Sequence, residues 1–485
     1  MTTRTLDPTT APTRRGRTPA LSEWLPLAVL LGGTFLVVLD FFIVNVGLPE
    51  IQRDLGAGDT ALEWLVAGYG LSFGGLLMAA SRLGERWGRH RMYAAGVLVF
   101  VLASTACGLA RGVEVLVVAR IAQGLGAAML APMVLALLGD VYDGPRRLRA
   151  LAAYSTVMGV AAACGQLVGG ALIAADPAGL GWRSIFLVNL PLGLVVLAGA
   201  ARVLPRNAGD RDSRVDVPGL VLVTAATTAV ILPLLEGRRL GWPEWTWGSL
   251  ALGGVLALVL VRRTRSLAQR GAAPLFHPAA FGSGLVRRGL VGQALLFCGM
   301  ASYFMVLALY LQVGRGLGPL PSGLVFTPMA LAYMVGTRRA APLVARFGGG
   351  AVVGGAAAFT CGHLLVLLAV GSIGTGGDVL WLVPGLVVAG AGMGVCLSAL
   401  VGSVMGAVEP RHAATVSGAL STVQQLGNAV GVALIGIVYF GATARGADVA
   451  FERSLWWLAA GTTALAVLAT RLTGNAGRVS RLDQG

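Results

Sequence analysis

Long apolar stretches alternate along this chain with short polar breaks rich in arginine and glycine. The apolar runs fall near residues 24–47, 61–80, 92–110, 114–138, 148–174, 184–203, 217–235, 246–262, 288–311, 321–341, 350–371, 379–406, 414–441 and 454–470. A helix needs about 20 mostly apolar residues to cross a bilayer, and it must pair every backbone N–H and C=O within itself. The pattern predicts an all-α polytopic membrane protein with 14 transmembrane helices. Interruptions by Gly, Pro and Arg are densest between residues 315 and 350. Residues 1–20, rich in Thr, Pro and Arg, read as a disordered tail, and 473–485 as a second tail. The first apolar run is too long for a signal peptide core and no small-residue cleavage site follows it. It is expected to be a retained first helix.

Composition agrees with this picture: 56% of the residues are hydrophobic and only 12% are charged. The net charge of +15 does not point to nucleic acid, because of where it lies. All 37 basic residues are arginine, and most fall in alternate loops. Those loops carry Arg82, Arg86, Arg89 and Arg91, then Arg146, Arg147 and Arg149, then Arg202, Arg206, Arg211 and Arg214, then Arg262 to Arg288. This is the positive-inside signature. It places both termini in the cytoplasm and the chain in a cytoplasmic membrane; the all-Arg, Ala/Gly/Val-rich composition is associated with a GC-rich bacterium. The five cysteines form no CxxC and lie in apolar runs, so they read as small buried hydrophobes. The four histidines are dispersed. No metal site or cofactor is expected.

Two polar, Arg-rich stretches, 204–216 and 263–286, flank a pair of helices. Removing that pair leaves six helices on each side, a known transporter plan with the site between the halves. The expected units are a six-helix bundle over 21–206, two inserted helices with their linkers over 207–285, and a second six-helix bundle over 286–472.

Charged residues inside apolar runs carry the chemistry. A charge at the centre of a membrane helix costs roughly 2.5–3.5 kcal/mol on insertion scales, so it is a functional-site hypothesis by default. Asp40 shares a stripe of the first helix with Leu36, Val44 and Gly47. A carboxylate there can bind and release a proton, or it can be a structural acid capped by neighbouring helices. In the fourth helix Arg120 and Gln123 share a face. Gly124, Gly126, Ala127 and Ala128 follow and let other helices approach. Arg120 can alternatively snorkel to an interface.

Ser81 to Arg91 joins the second and third helices. Its Glu85, Arg86, Gly88 and Arg89 suit charged contacts to neighbouring helices, or a plain positive-inside loop. In the fifth helix Ala161, Gly165 and Gly169 form a ridge of small residues, with Gln166 and Gly170 beside it. In the C-terminal half Phe297, Met300 and Phe304 fall on one stripe with Gln293. With Leu36, Gln424 and Asn428 they are candidates to line a pocket for an amphipathic compound; ordinary packing is the alternative.

These segments together resemble the major facilitator superfamily, and within it the fourteen-spanner drug:proton antiporters. The loop is similar to the superfamily's signature, with Ser81 where Gly is usual and Glu85 where Asp is usual. Arg120-Ile121-Ala122-Gln123-Gly124 resembles the Arg-x-x-Gln-Gly motif of those antiporters, in which the Arg is implicated in proton handling. Leu39-Asp40-Phe41 to Pro49 is similar to their first-helix signature, and Trp182-Arg183 to Leu192-Gly193 to the start of their sixth helix. Gly165 to Gly170 looks like the motif of exporters, with Gln166 in place of the usual Pro, which puts the expected kink in doubt.

The resemblance implies a secondary transporter and not an enzyme. It implies proton-driven efflux of a bulky amphipathic or cationic, drug-like compound, with the proton gradient as energy source. Asp40 would carry the proton with Arg120 and Gln123, and Glu85, Arg86 and Arg89 would form a gating latch. A proton-coupled importer on the same fold is the alternative; a non-transporting sensor or an intramembrane enzyme lies further off. The partners implied are the lipid bilayer, protons and the small substrate, without nucleic acid.

Overall fold

The structure, a computed structural model, describes residues 24–206, 209, 216–270, 278–409 and 412–473. The expected N-terminal tail, all of the C-terminal tail but Thr473, and parts of both Arg-rich linkers lie outside the described residues. The elements in chain order are α1 (Leu25–Leu55), α2 (Asp59–Trp87), α3 (Arg89–Gly108), α4 (Val113–Val141), α5 (Gly144–Ala175) and α6 (Gly181–Val203). There follow α7 (Val217–Leu240), α8 (Glu244–Gln269), α9 (Gly284–Gly314), α10 (Pro319–Phe347), α11 (Gly350–Ile373), α12 (Val379–Gly406), α13 (Ala413–Phe440) and α14 (Ala447–Thr473).

Among the described residues 12 of these helices are long and apolar enough to cross a membrane, and α5, bent by about 40° across residue 163, makes a thirteenth if it is one span. The expectation of 14 spans is met only this far. The exception is α14, which carries Asp448, Glu452, Arg453 and Arg471 together with Trp456 and Trp457. Several helices outrun their apolar cores. α1 continues through Pro49 to a left-handed Gly56, and α8 runs on to Gln269 through what read as a linker. Arginine at a helix end can keep its head in the interface while its stem covers apolar surface. The region 315–350, which read as the most broken, is one helix, α10, with Pro328 and Pro342 inside it.

Two groups of six helices pack in matching ways. In the first, α1 contacts α5 and α6, α4 contacts α2 and α3, and α3 contacts α6; in the second, α9 contacts α13 and α14, α12 contacts α10 and α11, and α11 contacts α14. The groups meet along two seams of small residues, where backbones can approach closely. On the α2–α13 seam, Gly70 lies against Ala429, Gly74 against Gln425, and Gly418 against Met78. On the α5–α10 seam, Gly170 lies against the backbone of Pro319 and Gly323 against that of Gln166. The pair α7 and α8 packs on itself, and α7 also touches α2 and α13. α8 is scarcely covered by protein, leaving Trp247, Leu252, Val255 and Leu258 exposed, as suits a helix against lipid.

Candidate functional site

Asp40 is fully buried on α1, and three N–H donors converge on its two oxygens. Arg120 donates from Nη1 to Asp40 Oδ2 at 2.5 Å and to Gln123 Oε1 at 2.8 Å. Gln123 Nε2 donates to Asp40 Oδ1 at 2.7 Å. This closes a ring of three side chains with one i, i+3 pair on α4. Asn189 on α6 donates to the same Oδ1 at 2.9 Å and to Ser104 Oγ at 3.0 Å, and the Ser104 hydroxyl donates to the Phe186 carbonyl at 2.9 Å. An ionised carboxylate is acceptor-only and takes such a set of donors.

Arg120 does not snorkel. It is fully buried, its Nε donates to the Leu65 carbonyl of α2 at 3.0 Å, and its guanidinium lies 4.4 Å from the Tyr69 ring centroid. Gly124, one turn on, rests against the Tyr69 backbone, so α2 comes close enough for that bond. Gly126 does the same for α3 at Phe100. A buried ion pair offsets its desolvation only with good geometry and further hydrogen bonds, and here the surroundings supply both.

Asp40 is not on a cavity wall. A cavity of about 980 Å³ lies between the two six-helix groups, and α1 faces it with Thr34, Val37, Val38, Phe41 and Phe42. Phe297, Met300, Phe304, Gln424 and Asn428 line it. Leu36 does not, contrary to expectation. It belongs to the stripe of Asp40, turned away from the cavity, and packs near Gly193 of α6. Across the wall Phe42 meets Phe304 edge to face at 4.9 Å, and Phe304 stacks on Phe326 at 5.7 Å. The chemistry of the lining is aromatic and thioether-rich, with amides from α13 and charged groups at one end.

That end is the α2–α3 turn. The expected loop is largely helix: α2 runs to Trp87, and Gly88 alone makes the turn, at φ 99°. Glu85 pairs with Arg82 of its own helix at 3.2 Å, and among the described residues no ion pair joins it to another helix. Arg86 is exposed and forms no ion pair among the described residues. Arg89 reaches another helix, pairing with Asp140 near the end of α4. This ion pair joins α3 to α4. Arg82, Glu85, Arg89, Asp140 and Arg147 all border the cavity, which opens toward this end of the bundle.

The opposite end is closed. Gln166, buried on α5, donates from Nε2 to the Phe42 carbonyl at 3.1 Å. Gly165 and Gly169 let α1 lie against α5 at Phe42 and Ile43, Gly170 seats α10, and Ala161 is buried one turn earlier. α5 carries no proline at Gln166, and its bend of about 40° falls at residue 163. Gln312, in a π-helical turn ending α9, donates to the Val46 carbonyl of α1 at 3.0 Å.

Sequence reasoning missed Asn189, Ser104, Asp140 and the buried Glu63. Asn189 could have been found as a lone amide in the apolar run after Trp182. Asp140 closes an apolar run and reads as an ordinary helix end. The cysteines are not uniformly buried: Cys107 and Cys396 are, whereas Cys361 is exposed.

The chain matches the Major Facilitator Superfamily model over residues 30–432. It is 36% identical over 431 residues to the probable actinorhodin transporter of Streptomyces coelicolor, covering 88% of this chain and 74% of that one. It is 34% identical to the puromycin resistance protein of Streptomyces alboniger, covering 88% and 84% of the two chains. It is 32% identical to the drug efflux pump JefA of Mycobacterium tuberculosis, covering 84% and 78%. Among solved structures, a POT family transporter in complex with a thioalcohol-conjugated peptide superposes with a TM-score of 0.65 over 92% of this chain and 96% of that one, at 14% identity; that likeness speaks to fold alone. With bacterial relatives of this kind and its many spans, the protein is a multi-pass transporter of the cytoplasmic membrane and not an enzyme. The chain belongs to the Major Facilitator Superfamily.

Proposed function

We propose that the protein exports drug-like or antibiotic-like small molecules in exchange for protons, by alternating access of the two six-helix halves about the central cavity. The observation that carries this reading is the buried Asp40–Arg120–Gln123 ring set directly behind the cavity wall formed by Phe41 and Phe42. The donors around Asp40 suit its charged form. A proton on Asp40 removes the charge that holds Arg120 and leaves Arg120 and Gln123 to find other acceptors. The ring bonds α1 to α4, and Asn189 ties α6 to the same carboxylate, so loss of the charge alters how those helices pack. Only such a differential affinity between two states can drive a switch.

The cavity chemistry favours a bulky amphipathic substrate: phenyl and thioether walls for an apolar body and amides for its polar groups, with Glu85 and Asp140 at the open mouth already paired to Arg82 and Arg89. The names of the relatives, an actinorhodin transporter and a puromycin resistance protein, support export of antibiotic-sized compounds. The arginine distribution supports 14 spans with both termini cytoplasmic, so that the cavity as described opens inward.

The test is drug-induced proton movement in inside-out vesicles, with wild type beside Asp40→Asn and with puromycin and ethidium as probes. Proton release on drug addition in the wild type, lost in the variant, is the expected result. Equal responses from both would make Asp40 a structural residue. No response from either would remove proton-coupled export of these compounds.

A further inference from the structure

A second carboxylate is buried outside the ring just described. Glu63, one turn into α2, is 1% exposed. It sits where three helices meet. On α13, Gly436 lies directly against its carboxylate, and any side chain at 436 would overlap it. On α7, Arg238 Nη2 donates to Glu63 Oε1 at 3.5 Å while Nη1 lies 3.5 Å from Asp59, and its guanidinium is 5.1 Å from the Phe440 ring centroid of α13. The Trp64 indole donates to Glu236 of α7 at 2.9 Å, and Arg239 pairs with the same Glu236. Asp59, Glu236, Arg238 and Arg239 are thus the charged groups around Glu63.

Position gives the junction its meaning. Glu63 against Gly436 is the far end of the α2–α13 seam. From there the seam runs through Gly70 and Gly74 to Met78 and Gly418, and the cavity lies along it from Met78 and Gly418 as far as Gln425 and Asn428. The cavity opens at the opposite end. Glu63 therefore lies in the part of the interface that must separate when the halves expose the cavity to the other side. Sealed, it is cut off from water, and its cationic partner belongs to neither half. That partner comes from the inserted pair α7–α8.

We propose that Glu63 and Arg238 form the outer gate's closing contact, so that the inserted helices are a working part of the gate. The inference rests on the alternating-access reading above. A buried carboxylate that loses its partner is costly, whereas the same group in water is not. Removing Arg238 must therefore drive the seam apart, toward the state in which Glu63 is hydrated. Removing the charge on Glu63 must not, and removing both must undo the effect of removing one. A contact that only holds the fold together would show this asymmetry in thermal stability and not in access to the seam from the outer side. Glu63 is in this sense a positioning residue.

The experiment places a reporter cysteine at Ala433, buried one turn before Gly436 on α13, in a Cys361→Ser background of the full chain in proteoliposomes. Its labelling by a membrane-impermeant maleimide from the outer side is timed. Arg238→Gln is expected to speed labelling on the order of tenfold, as a population shift of that size requires, while Glu63→Gln and the double variant label like the parent. Equal rates in all four, or equal acceleration by Arg238→Gln and Glu63→Gln, overturns the proposal. Proton-driven ethidium movement is followed in the same proteins. If the parent couples and labelling lacks the asymmetry, the gate assignment fails and the transport reading stands. If the parent moves no protons and the reporter never labels, the transport reading itself fails.

Discussion

Asn189 of α6 and Asp40 of α1, 149 residues apart in the chain, share a hydrogen bond of 2.9 Å in the interior of the first six-helix group. The same Asn189 amide reaches Ser104 of α3, so one side chain links three helices around the carboxylate. A hydrogen bond to a charged group contributes about 1.5–3 kcal/mol. Asn189→Leu, of similar volume, is expected to lower drug-driven proton release by about tenfold while the protein still reaches the membrane. Proton release in vesicles, normalised to the amount of protein, checks this. An unchanged rate would show that Asp40 does not depend on α6.

Arg120→Lys separates charge from geometry. The guanidinium serves Asp40 and Gln123 from Nη1 and the Leu65 carbonyl from Nε, while lying over Tyr69. An ammonium keeps the charge but cannot span those acceptors in one plane. Coupled transport is expected to fall about 10- to 100-fold, the equivalent of one or two lost charged hydrogen bonds, with retained folding. Arg120→Ala is expected to do worse, because it leaves Asp40 buried without its ion partner, a loss of roughly 3–5 kcal/mol. Thermal unfolding of the purified variants separates the two effects.

The residues that could be read from sequence differ in kind from those that could not. Asp40 and Arg120 stood out because a charge in a run of Leu, Val and Ala has few innocent explanations. Gln123 followed from its spacing to Arg120. Asn189 and Ser104 are uncharged, and their meaning depends on α3 and α6 both facing α1, which no local pattern gives. Glu63 looks like an acid in the first turns of a helix, where it belongs electrostatically; its burial is made by α7 and α13, far along the chain. Leu36 does not line the pocket, because it shares the stripe of Asp40, which faces the ring, while the next stripe faces the cavity. The helices themselves were legible from apolar length. Their ends were not, because Arg-rich turns such as 263–269 continue a helix into the interface.

The Arg89–Asp140 pair makes a prediction about sidedness of control. Both side chains are about a third exposed, so the pair's direct contribution to stability is small, about 0–1 kcal/mol. Its effect is expected in the transport cycle, where it ties α3 to α4 at the open mouth of the cavity. Arg89→Asp, which sets two acids together, is expected to reduce efflux several-fold with little change in thermal stability. The swap Arg89→Asp with Asp140→Arg should recover part of the activity. Drug susceptibility of cells carrying each single variant and the swap is the measurement. Failure of the swap to recover anything would mean that Arg89 acts alone.

The α5–α10 seam admits a sterically defined test. A Cβ at Gly170 would meet the Pro319 carbonyl oxygen at 2.5 Å, its carbon at 2.9 Å and the Leu320 Cα at 3.0 Å. All three are backbone atoms, so no side-chain rotation relieves the clash. The two helices belong to different halves, and the clash exists only while the seam at the closed end of the cavity is shut. Overpacking of this kind costs typically about 1–3 kcal/mol, here borne by one orientation and not the other. Gly170→Val is expected to bias the transporter toward the outward-open state by about 5- to 100-fold and to reduce transport accordingly, with the folded protein intact. Gly159→Val is the control: on the same helix, a Cβ there has only Met334 Cγ near it, at an ordinary 3.5 Å, and a flexible thioether can move. If both variants lose transport equally, valine harms α5 for another reason and the seam is not the site of closure. If Gly170→Val alone loses it, the small residues of this helix hold the outer end shut.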